Sequence, residues 1–271
     1  GNIYTYPFKT KRNILLPFYA FTVIKVLLTK GPYEAVHSHY RFLNGIALAL
    51  AFFCGVKKRF SHSHGEDRPC SNPFILAVRR AMRFITKLFA TKLLACSYDS
   101  GVSLYGSGFE VINNGIITER FAFNPQIRAA KRAELGIGGK FVVMHTGRLV
   151  MEKNHKFLLE VFAEIHKIKP ESVLLLAGGG YLENEVLEQA GRLGIKDCVT
   201  ILGFRRDVPE ILQAADAFVF PSVREGLPVA GVEAQAAGLP CFFSDIITRG
   251  IEICNSVFLP LKETPSQWAR I

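Results

Sequence analysis

The stretch FVVMHTGRLVMEKN, residues 141–154, passes from an apolar run through a glycine-containing loop to the start of a helical pattern. The run at residues 141–145 is typical of a short buried strand. Asn154 has the side chain of a helix N-cap, and apolar residues then recur at helical spacing: Leu158, Phe162 and Ile165. The stretch therefore predicts a strand, a loop and a helix in succession, which is the repeating unit of an α/β fold.

The same alternation continues through the second half of the chain. Further apolar runs predict strands at residues 173–177, 199–202, 217–220 and 241–243. Helical patterns lie between them, at residues 183–193, 208–214 and 228–237. This order predicts a doubly wound parallel sheet, and such sheets bind ligands beyond the carboxyl ends of their strands. The loops expected at that edge are residues 146–153, 178–181, 203–206 and 221–227.

The first half is less regular but predicts a second α/β domain. Strand patterns lie at residues 34–37, 57–61 and 93–97, and residues 79–89 form a basic amphipathic helical pattern. The apolar run at residues 46–56 is too short to cross a bilayer and predicts a buried helix. The turn signal Asn113-Asn114-Gly115 predicts a boundary between Gly115 and Asn124. We therefore expect domains at residues 1–120 and 121–271.

Charge separates the two halves. Residues 1–122 hold 16 Lys and Arg against 6 Asp and Glu, and so carry the whole net charge of +10 among the 271 residues. This half is expected to approach an anionic surface such as lipid headgroups, although a basic face kept for solubility is the alternative. The apolar, aromatic stretch at residues 13–28 is compatible with a membrane-surface helix or with a core helix.

Cysteine usage and the N-terminus predict the compartment. None of the six cysteines forms a Cys-x-x-Cys pair or a zinc-ligand spacing, which favours a reducing cytoplasm. No signal peptide is visible in the sequence. We expect a cytoplasmic protein, peripheral on the inner face of the plasma membrane if the basic half binds lipid.

The loop at residues 147–154 contains two cations at the predicted carboxyl edge. Arg148 and Lys153 flank the helix start, where free backbone N–H groups also point outward. A guanidinium, an ammonium and such N–H groups suit a diphosphate. The alternative is that both cations are ordinary surface residues.

The segment Glu225-Gly226-Leu227-Pro228 leads from a strand into the last of these helices. Its first-turn N–H groups form a second anion site, and the Glu225 carboxylate could accept hydrogen bonds from sugar hydroxyls. Glu233 lies eight residues on, among Ala, Val and Gly, where a carboxylate is costly to bury without a partner. Ribose hydroxyls would be suitable donors. The alternative is that neither carboxylate binds a ligand: Glu225 would then complement the helix dipole, and Glu233 would be exposed to solvent.

Two other motifs give weaker signals. The triplet Gly178-Gly179-Gly180 could admit a nucleotide, but no Gly-x-Gly-x-x-Gly or Walker motif is present, which disfavours a dinucleotide dehydrogenase. Ser61-His62-Ser63-His64-Gly65 contains a His-x-His pair without an evident third ligand, and His37 and His39 form a similar pair. A single histidine contacting a ligand is the favoured interpretation, and no metal is expected.

Taken in order, these motifs resemble the donor domain of family 4 retaining glycosyltransferases. The resemblance rests on Gly147-Arg148 with Lys153-Asn154, Gly203-Phe204 with Asp207-Val208, Pro221-Ser222, and Glu225-Gly226-Leu227-Pro228 with Glu233. The resemblance runs from about Val36 to Pro260, and it is strongest to bacterial enzymes of capsule, exopolysaccharide or lipopolysaccharide assembly. It implies the GT-B fold, an α/β architecture of two Rossmann-like doubly wound parallel-sheet domains facing a cleft.

The resemblance also implies residue roles. Arg148 and Lys153, with Gly147, would hold the donor diphosphate, and the Gly203-Phe204 backbone would meet the base. Glu233 would bind ribose. Glu225 with the segment that follows it would hold the transferred sugar and distal phosphate: Gly226, Leu227 and Pro228. His62 matches the family's histidine near the sugar, with His64 as the less favoured match, so that Glu225 and His62 are the expected catalytic residues.

The implied reaction moves a hexose or amino-hexose, with retention, from a nucleotide diphosphate sugar to a lipid-linked or polysaccharide acceptor. UDP is the expected nucleotide, no cofactor is implied, and no nucleic-acid partner is expected. Cations and a helix N-terminus would stabilise the leaving phosphate without a metal. The family's opening strand with its glycine-rich loop and its final helix are expected to be missing. The alternatives are another GT-B enzyme, such as a nucleotide-sugar epimerase, or a degenerate, non-catalytic nucleotide-binding fragment.

Overall fold

The structure, a computed structural model, describes residues 16–67 and 70–271. The chain divides into two compact units between Asn113 and Asn114, within the turn signal and seven residues before the boundary expected between residues 120 and 121. Each unit contains a parallel sheet with helices between its strands. The prediction of two Rossmann-like domains is therefore confirmed. The first three residues of the apolar stretch at residues 13–28 lie outside the described residues.

The first unit contains a four-stranded sheet of order β1-β2-β3-β4, in which all neighbours are parallel. Its strands are β1 (Ala35–Ser38), β2 (Lys58–Ser63), β3 (Lys92–Ala95) and β4 (Glu110–Val111). Its helices are α1 (Leu16–Lys30), α2 (Asn44–Phe53), α3 (Pro73–Phe89) and α4 (Tyr98–Tyr105). Within the described ranges, no helix combines the length and apolar character needed to cross a membrane.

Two helices of this unit differ from the sequence prediction. Helix α3 begins six residues earlier than predicted, because Asn72 caps it by accepting from the N–H groups of Phe74 and Ile75. Helix α2, predicted to be buried, is buried only along one face. Ala47, Leu48 and Ala51 are in the core, whereas Phe52 and Phe53 are exposed at its end.

The second unit contains a six-stranded sheet of order β10-β9-β8-β5-β6-β7, again parallel throughout. Its strands are β5 (Phe141–Thr146), β6 (Ser172–Ala177), β7 (Val199–Gly203), β8 (Ala217–Phe220), β9 (Cys241–Ser244) and β10 (Ser256–Leu259). Its helices are α5 (Pro125–Glu134), α6 (His155–Ile168), α7 (Glu183–Arg192), α8 (Val208–Ala214), α9 (Val229–Ala236) and α10 (Pro265–Ala269).

The central strands of this sheet are buried on both faces, which explains why they read as continuous apolar runs in the sequence. The five strands predicted here agree with the structure to within one residue at each end. No strand was predicted at β10. This four-residue strand directly follows Asn255, a turn-forming residue whose φ is 45°. The predicted carboxyl-edge loops therefore all follow real strands.

Two residues that stand at helix starts use their side chains elsewhere, and one of them, Asn154, is the predicted N-cap. Asn154 stands at the N-cap of α6 in a left-handed conformation, and its side chain does not cap the helix. Its Nδ2 instead donates to the Pro221 carbonyl oxygen at 3.2 Å. Asp207 precedes α8 without capping it, because its carboxylate accepts from Arg205 and Lys131. Both side chains are used to hold loops instead of the helix.

Candidate functional site

The loops after β5 and β8 are neighbours because these two strands pair at the centre of the second unit's sheet. Two ion pairs join them. The Lys153 Nζ lies 2.8 Å from the Glu225 Oε1, and the Arg224 Nη2 lies 3.1 Å from the Glu152 Oε1. The Val223 N–H also donates to the Glu152 carbonyl oxygen at 2.9 Å. The loop predicted to hold phosphate and the loop predicted to hold sugar thus form one assembly.

Lys153 is the least exposed of the cations in these two loops. Its side chain and that of Glu225 are only 15% and 14% exposed, and its Nζ lies 4.4 Å from the centre of the Phe220 ring. Arg148, by contrast, is exposed, and has no ion-pair partner among the residues that the structure describes. The bond from Lys153 reaches only Oε1, so that Oε2 of Glu225 is available to hydroxyl donors.

Two of the three glycines after β6, Gly178 and Gly180, are required by the protein backbone. A Cβ on Gly178 would lie 2.0 Å from the Gly147 carbonyl oxygen, and one on Gly180 would lie 2.2 Å from that of Leu149. These close approaches accompany a hydrogen bond from the Leu149 N–H to the Gly179 carbonyl oxygen at 3.1 Å. The triplet therefore fixes the phosphate-side loop, a packing role that sequence reasoning did not reveal.

Gly180→Ala is expected to destabilise the protein by about 1–3 kcal/mol, because the new methyl group can be accommodated only if the Leu149 backbone moves. Chemical denaturation would measure the change. Gly191→Ala is the matched control, since Gly191 lies in α7 and no atom lies within 4 Å of the place that its new methyl group would take. That control should be neutral or slightly stabilising. Equal effects of the two substitutions would contradict the packing role.

Phe204 follows β7 and extends the same edge of the sheet. Its side chain is 84% exposed, and the preceding Gly203 has a φ of 66°, which turns the chain away from the strand. The Phe204 ring lies beside Gly179, where an added Cβ would be 3.2 Å from the ring. An exposed aromatic ring next to backbone without side chains can stack on a planar base.

Glu233 lies in the second turn of α9, the helix that begins after the Glu225 loop. Its carboxylate is partly buried and has no hydrogen-bond or ion-pair partner among the described residues. Burial raises the pKa of this carboxyl group, and the charge of Arg120 opposes the shift. Pro228 occupies the N-cap without a side-chain bond, so the first-turn N–H groups of α9 also lack a side-chain cap.

Polar groups that sequence reasoning missed lie directly beneath these loops. His145, at the end of β5, is fully buried, and its Nδ1 lies 2.9 Å from the Val219 carbonyl oxygen. Burial lowers the pKa of His145 well below its usual value and that of the neighbouring His155 to about 4, so both rings are neutral at pH 7. Buried atoms without a hydrogen-bond partner among the described residues are His145 Nε2, Thr146 Oγ1, Ser222 Oγ and both ring nitrogens of His155. They lie where β5 and β8 end and α6 begins, which is where a polar ligand would be accepted.

A cavity of about 450 Å³ lies elsewhere in this unit. It is lined by residues at the amino ends of β5, β8 and β9, including Phe141, Ala217 and Pro240. The predicted donor residues lie at the opposite ends of these strands. The cavity is therefore not the candidate site.

The predicted histidine of the first unit, His62, lies in β2 and is 7% exposed. Its ring is close to those of His37, His39 and His64, with centroid distances of 5.3, 5.4 and 4.2 Å. Burial, followed by the charges of these three histidines, lowers the pKa of His62 to about 4. His64 is exposed. Sequence reasoning found no third ligand for a metal, but the structure brings the ring nitrogens of His37, His39 and His62 within 4.8 Å of one another.

Comparison with known proteins matches residues 127–255 to a family described as "Glycosyl transferases group 1". The "Putative glycosyltransferase EpsF" of Bacillus subtilis (strain 168) is 36% identical over 251 residues, which cover 88% of this chain and 65% of that protein. An Escherichia coli protein, "UDP-Gal:alpha-D-GlcNAc-diphosphoundecaprenol alpha-1,3-galactosyltransferase", is 32% identical over 81% of this chain and 60% of its own length. This chain thus spans less than two thirds of each relative.

A solved structure shares the fold. HepE of Anabaena, crystallised in complex with UDP-glucose, superimposes with a TM-score of 0.79 over 95% of this chain and 73% of that one, at 23% sequence identity. At this identity the likeness concerns the arrangement of strands and helices.

Proposed function

The chain belongs to the group 1 glycosyl transferases, and on that premise we propose that it transfers a hexose or amino-hexose from a UDP-sugar to a lipid-linked or polysaccharide acceptor. The proposal of UDP is supported by the names of similar proteins, one a UDP-Gal-dependent galactosyltransferase and one crystallised with UDP-glucose. The relative that names diphosphoundecaprenol supports a lipid-linked acceptor.

The observation that carries the proposal is the partly buried carboxylate of Glu233, which has no hydrogen-bond or ion-pair partner among the described residues. A carboxylate in this position is destabilising unless a ligand supplies donors, and ribose hydroxyls supply two. Lys153 lies at the neighbouring loop, where it would meet a diphosphate, and Phe204 extends from the same edge toward a base. Base, ribose and diphosphate are thus each matched by a suitable side chain.

The chemistry follows from these groups. Transfer breaks the bond between the sugar C1 and the diphosphate oxygen, and negative charge develops on the leaving phosphate. Lys153, Arg148 and the first-turn N–H groups of α9 would stabilise that charge. Glu225, held by Lys153 through one oxygen, would orient the sugar with the other. We propose that the acceptor attacks on the same face and passes its proton to the leaving phosphate, which retains the configuration, and that His62 contacts the sugar.

A thermal-shift screen of the chain with UDP, GDP, ADP and their sugars tests the donor assignment. A ligand present at 100 times its Kd stabilises the folded state by about 2.7 kcal/mol, so UDP and UDP-hexoses should raise the Tm most. Product analysis with a lipid-linked acceptor then tests transfer. Release of UDP with glycoside formation supports the proposal, whereas an isomerised UDP-sugar would identify an epimerase. Absence of any nucleotide-dependent shift would overturn the donor site.

Phe204→Ala is expected to weaken UDP binding by roughly 5- to 150-fold, because stacking of one base on an aromatic ring contributes about 1–3 kcal/mol. The substitution should leave the Tm of the free protein unchanged, since the ring is exposed. Phe123→Ala, which removes another exposed ring of this unit, is the control. Isothermal titration with UDP measures both. An unchanged Kd in Phe204→Ala would exclude base stacking on this ring.

We further propose that the first unit binds an anionic membrane surface from the cytoplasmic side. Helix α3 exposes an apolar stripe at helical spacing, formed by Phe74, Ala77, Ala81, Phe84 and Leu88. Arg80 and Lys87 are exposed beside it, and residues 1–122 carry the whole excess of basic charge. Apolar side chains flanked by cations suit insertion among anionic headgroups.

The double substitution Phe84→Ser and Leu88→Ser should reduce binding to phosphatidylglycerol-containing vesicles by at least about tenfold, because each buried apolar side chain contributes on the order of 1.5–3 kcal/mol. Co-sedimentation measures the bound fraction, and added salt should lower binding of the unaltered protein. Phe123→Ser serves as the control for loss of an exposed aromatic ring. Vesicle binding that survives the double substitution would contradict the role of the stripe.

A further inference from the structure

Two His-x-His sequences end adjacent parallel strands of the first unit. His37 lies in β1 and pairs in register with Phe60 of β2, and one residue further Ser38 pairs with Ser61. Side chains at alternate positions share a face of the sheet, and paired positions of neighbouring strands share it too. His37, His39, His62 and His64 are therefore placed together by the register of β1 against β2.

The four rings form a continuous cluster. Centroids of consecutive rings lie 4.1 Å apart for His37 and His39, 5.0 Å for His39 and His64, and 4.2 Å for His62 and His64. The His39 Nδ1 lies 2.7 Å from the His64 Nε2. One nitrogen each from His37, His39 and His62 lies within 4.8 Å of the others. In a tetrahedral zinc site with bonds of about 2.0–2.1 Å, the ligand atoms lie about 3.4 Å apart. Side-chain rotations that move the ring nitrogens by about 1 Å would therefore complete the geometry.

His62 gives the second, independent indication of a ligand. The residue is only 7% exposed, and neither ring nitrogen meets the distance and angle of a hydrogen bond with any described residue, although the Ile112 backbone lies close to the ring. Buried polar atoms in proteins are nearly always partnered. The other three rings of the cluster surround this unpartnered one, and their own exposure leaves a path for a cation to enter.

The strands that carry the histidines are held in place on their other face. The Asn44 Oδ1 accepts from the Ser38 hydroxyl at 2.7 Å, and its Nδ2 donates to the Ser61 Oγ at 2.7 Å. Ser61 is in turn 2.7 Å from the Tyr105 hydroxyl oxygen. This buried network ties β1 to β2 beneath the cluster. Ligand positions are thereby preorganised, which favours metal affinity.

We propose that His37, His39 and His62 bind a divalent cation of the zinc class, with His64 as a hydrogen-bonded outer partner of His39. An all-imidazole ligand set suits Zn²⁺, Co²⁺, Ni²⁺ and Cu²⁺ and disfavours Mg²⁺ and Ca²⁺, which take oxygen ligands. The site lies wholly within the first unit and does not depend on the proposed sugar transfer. A cation bound to a ring nitrogen of His62 would compete with a sugar for contact with that side chain.

The test titrates the whole chain with Co²⁺ and Zn²⁺, each followed without a sugar nucleotide. Co²⁺ should give the visible ligand-field bands of a tetrahedral nitrogen site, and Zn²⁺ should displace it and raise the Tm. His37→Gln and His39→Gln should each weaken binding by more than the roughly 10- to 100-fold that loss of an outer partner causes. Both side chains are exposed, so these variants should fold, which their Tm without metal verifies.

His166→Gln is the matched control. Its ring in the second unit contacts a thiol, with 3.6 Å between the His166 Nε2 and the Cys198 Sγ, and so offers an imidazole outside the cluster. This variant should bind Zn²⁺ as the unaltered protein does. Metal binding lost in His166→Gln but kept in His39→Gln would overturn the proposal. So would intense near-ultraviolet thiolate charge-transfer bands with Co²⁺, or equal competition by Mg²⁺.

Discussion

Lys153→Ala is expected to lower kcat/KM for sugar transfer by about 10²- to 10³-fold, the range found when one preorganised group that stabilises developing charge is removed. Lys153 is held between the Glu225 carboxylate and the Phe220 ring. Its loss removes positive charge where the diphosphate is proposed to leave. Steady-state kinetics with a UDP-hexose measures the effect.

A binding comparison separates this role from a purely structural one. If Lys153 contacts phosphate, Lys153→Ala weakens binding of UDP but leaves binding of uridine unchanged. If Lys153 only holds the loop through Glu225, both ligands lose affinity together. Lys156→Ala is the matched control, because Lys156 is an exposed lysine in the first turn of α6 without an ion pair among the described residues. A Lys153→Ala enzyme with unchanged kcat/KM would refute the phosphate assignment.

Glu233→Gln is expected to weaken UDP binding by about 10- to 100-fold, since hydrogen bonds to a charged group contribute about 1.5–3 kcal/mol. The unaltered protein should discriminate against 2′-deoxy-UDP or 3′-deoxy-UDP, and the variant should bind the ribo and deoxy forms alike. Isothermal titration with the three nucleotides measures this. Retained discrimination in Glu233→Gln would show that ribose is read by another group.

The same carboxyl group predicts a pH dependence of stability in the absence of ligand. Its pKa is raised in the folded state by burial, so the folded chain holds this proton over a range where the unfolded chain has released it. Its contribution to stability therefore falls as the pH rises from the unfolded to the folded pKa. Glu233→Gln should be more stable than the unaltered protein at pH 7, and the difference should vanish below the unfolded pKa. A Tm difference that is constant with pH would contradict the assignment.

Sequence patterns located the second unit's strands because strands buried on both faces are apolar without interruption. The same reasoning placed Arg148, Lys153, Glu225 and Glu233 at one edge of the sheet. It could not pair Lys153 with Glu225, since these residues, 72 positions apart in the chain, meet only through the order of β5 and β8. The roles of these residues in donor binding stay predictions until the binding experiments are done.

Two features needed three-dimensional information. The glycine triplet is a weak motif in sequence, because glycine is needed wherever a neighbour leaves no room for a side chain. That neighbour can be a ligand or, as here, the backbone of Gly147 and Leu149. The histidine cluster was divided between two strands whose adjacency no local pattern reveals. Once β1 is known to lie beside β2, the two His-x-His sequences necessarily face each other.

The two ion pairs between the loops have opposite polarity. Glu152 and Lys153 follow each other on one loop, and Arg224 and Glu225 on the other, so that each anion faces a cation. A shift of one loop by a single residue would place Glu152 opposite Glu225, or Lys153 opposite Arg224, and like charges would repel. The alternating charges thus favour one relative position of the two loops over the positions shifted by one residue, even without a ligand.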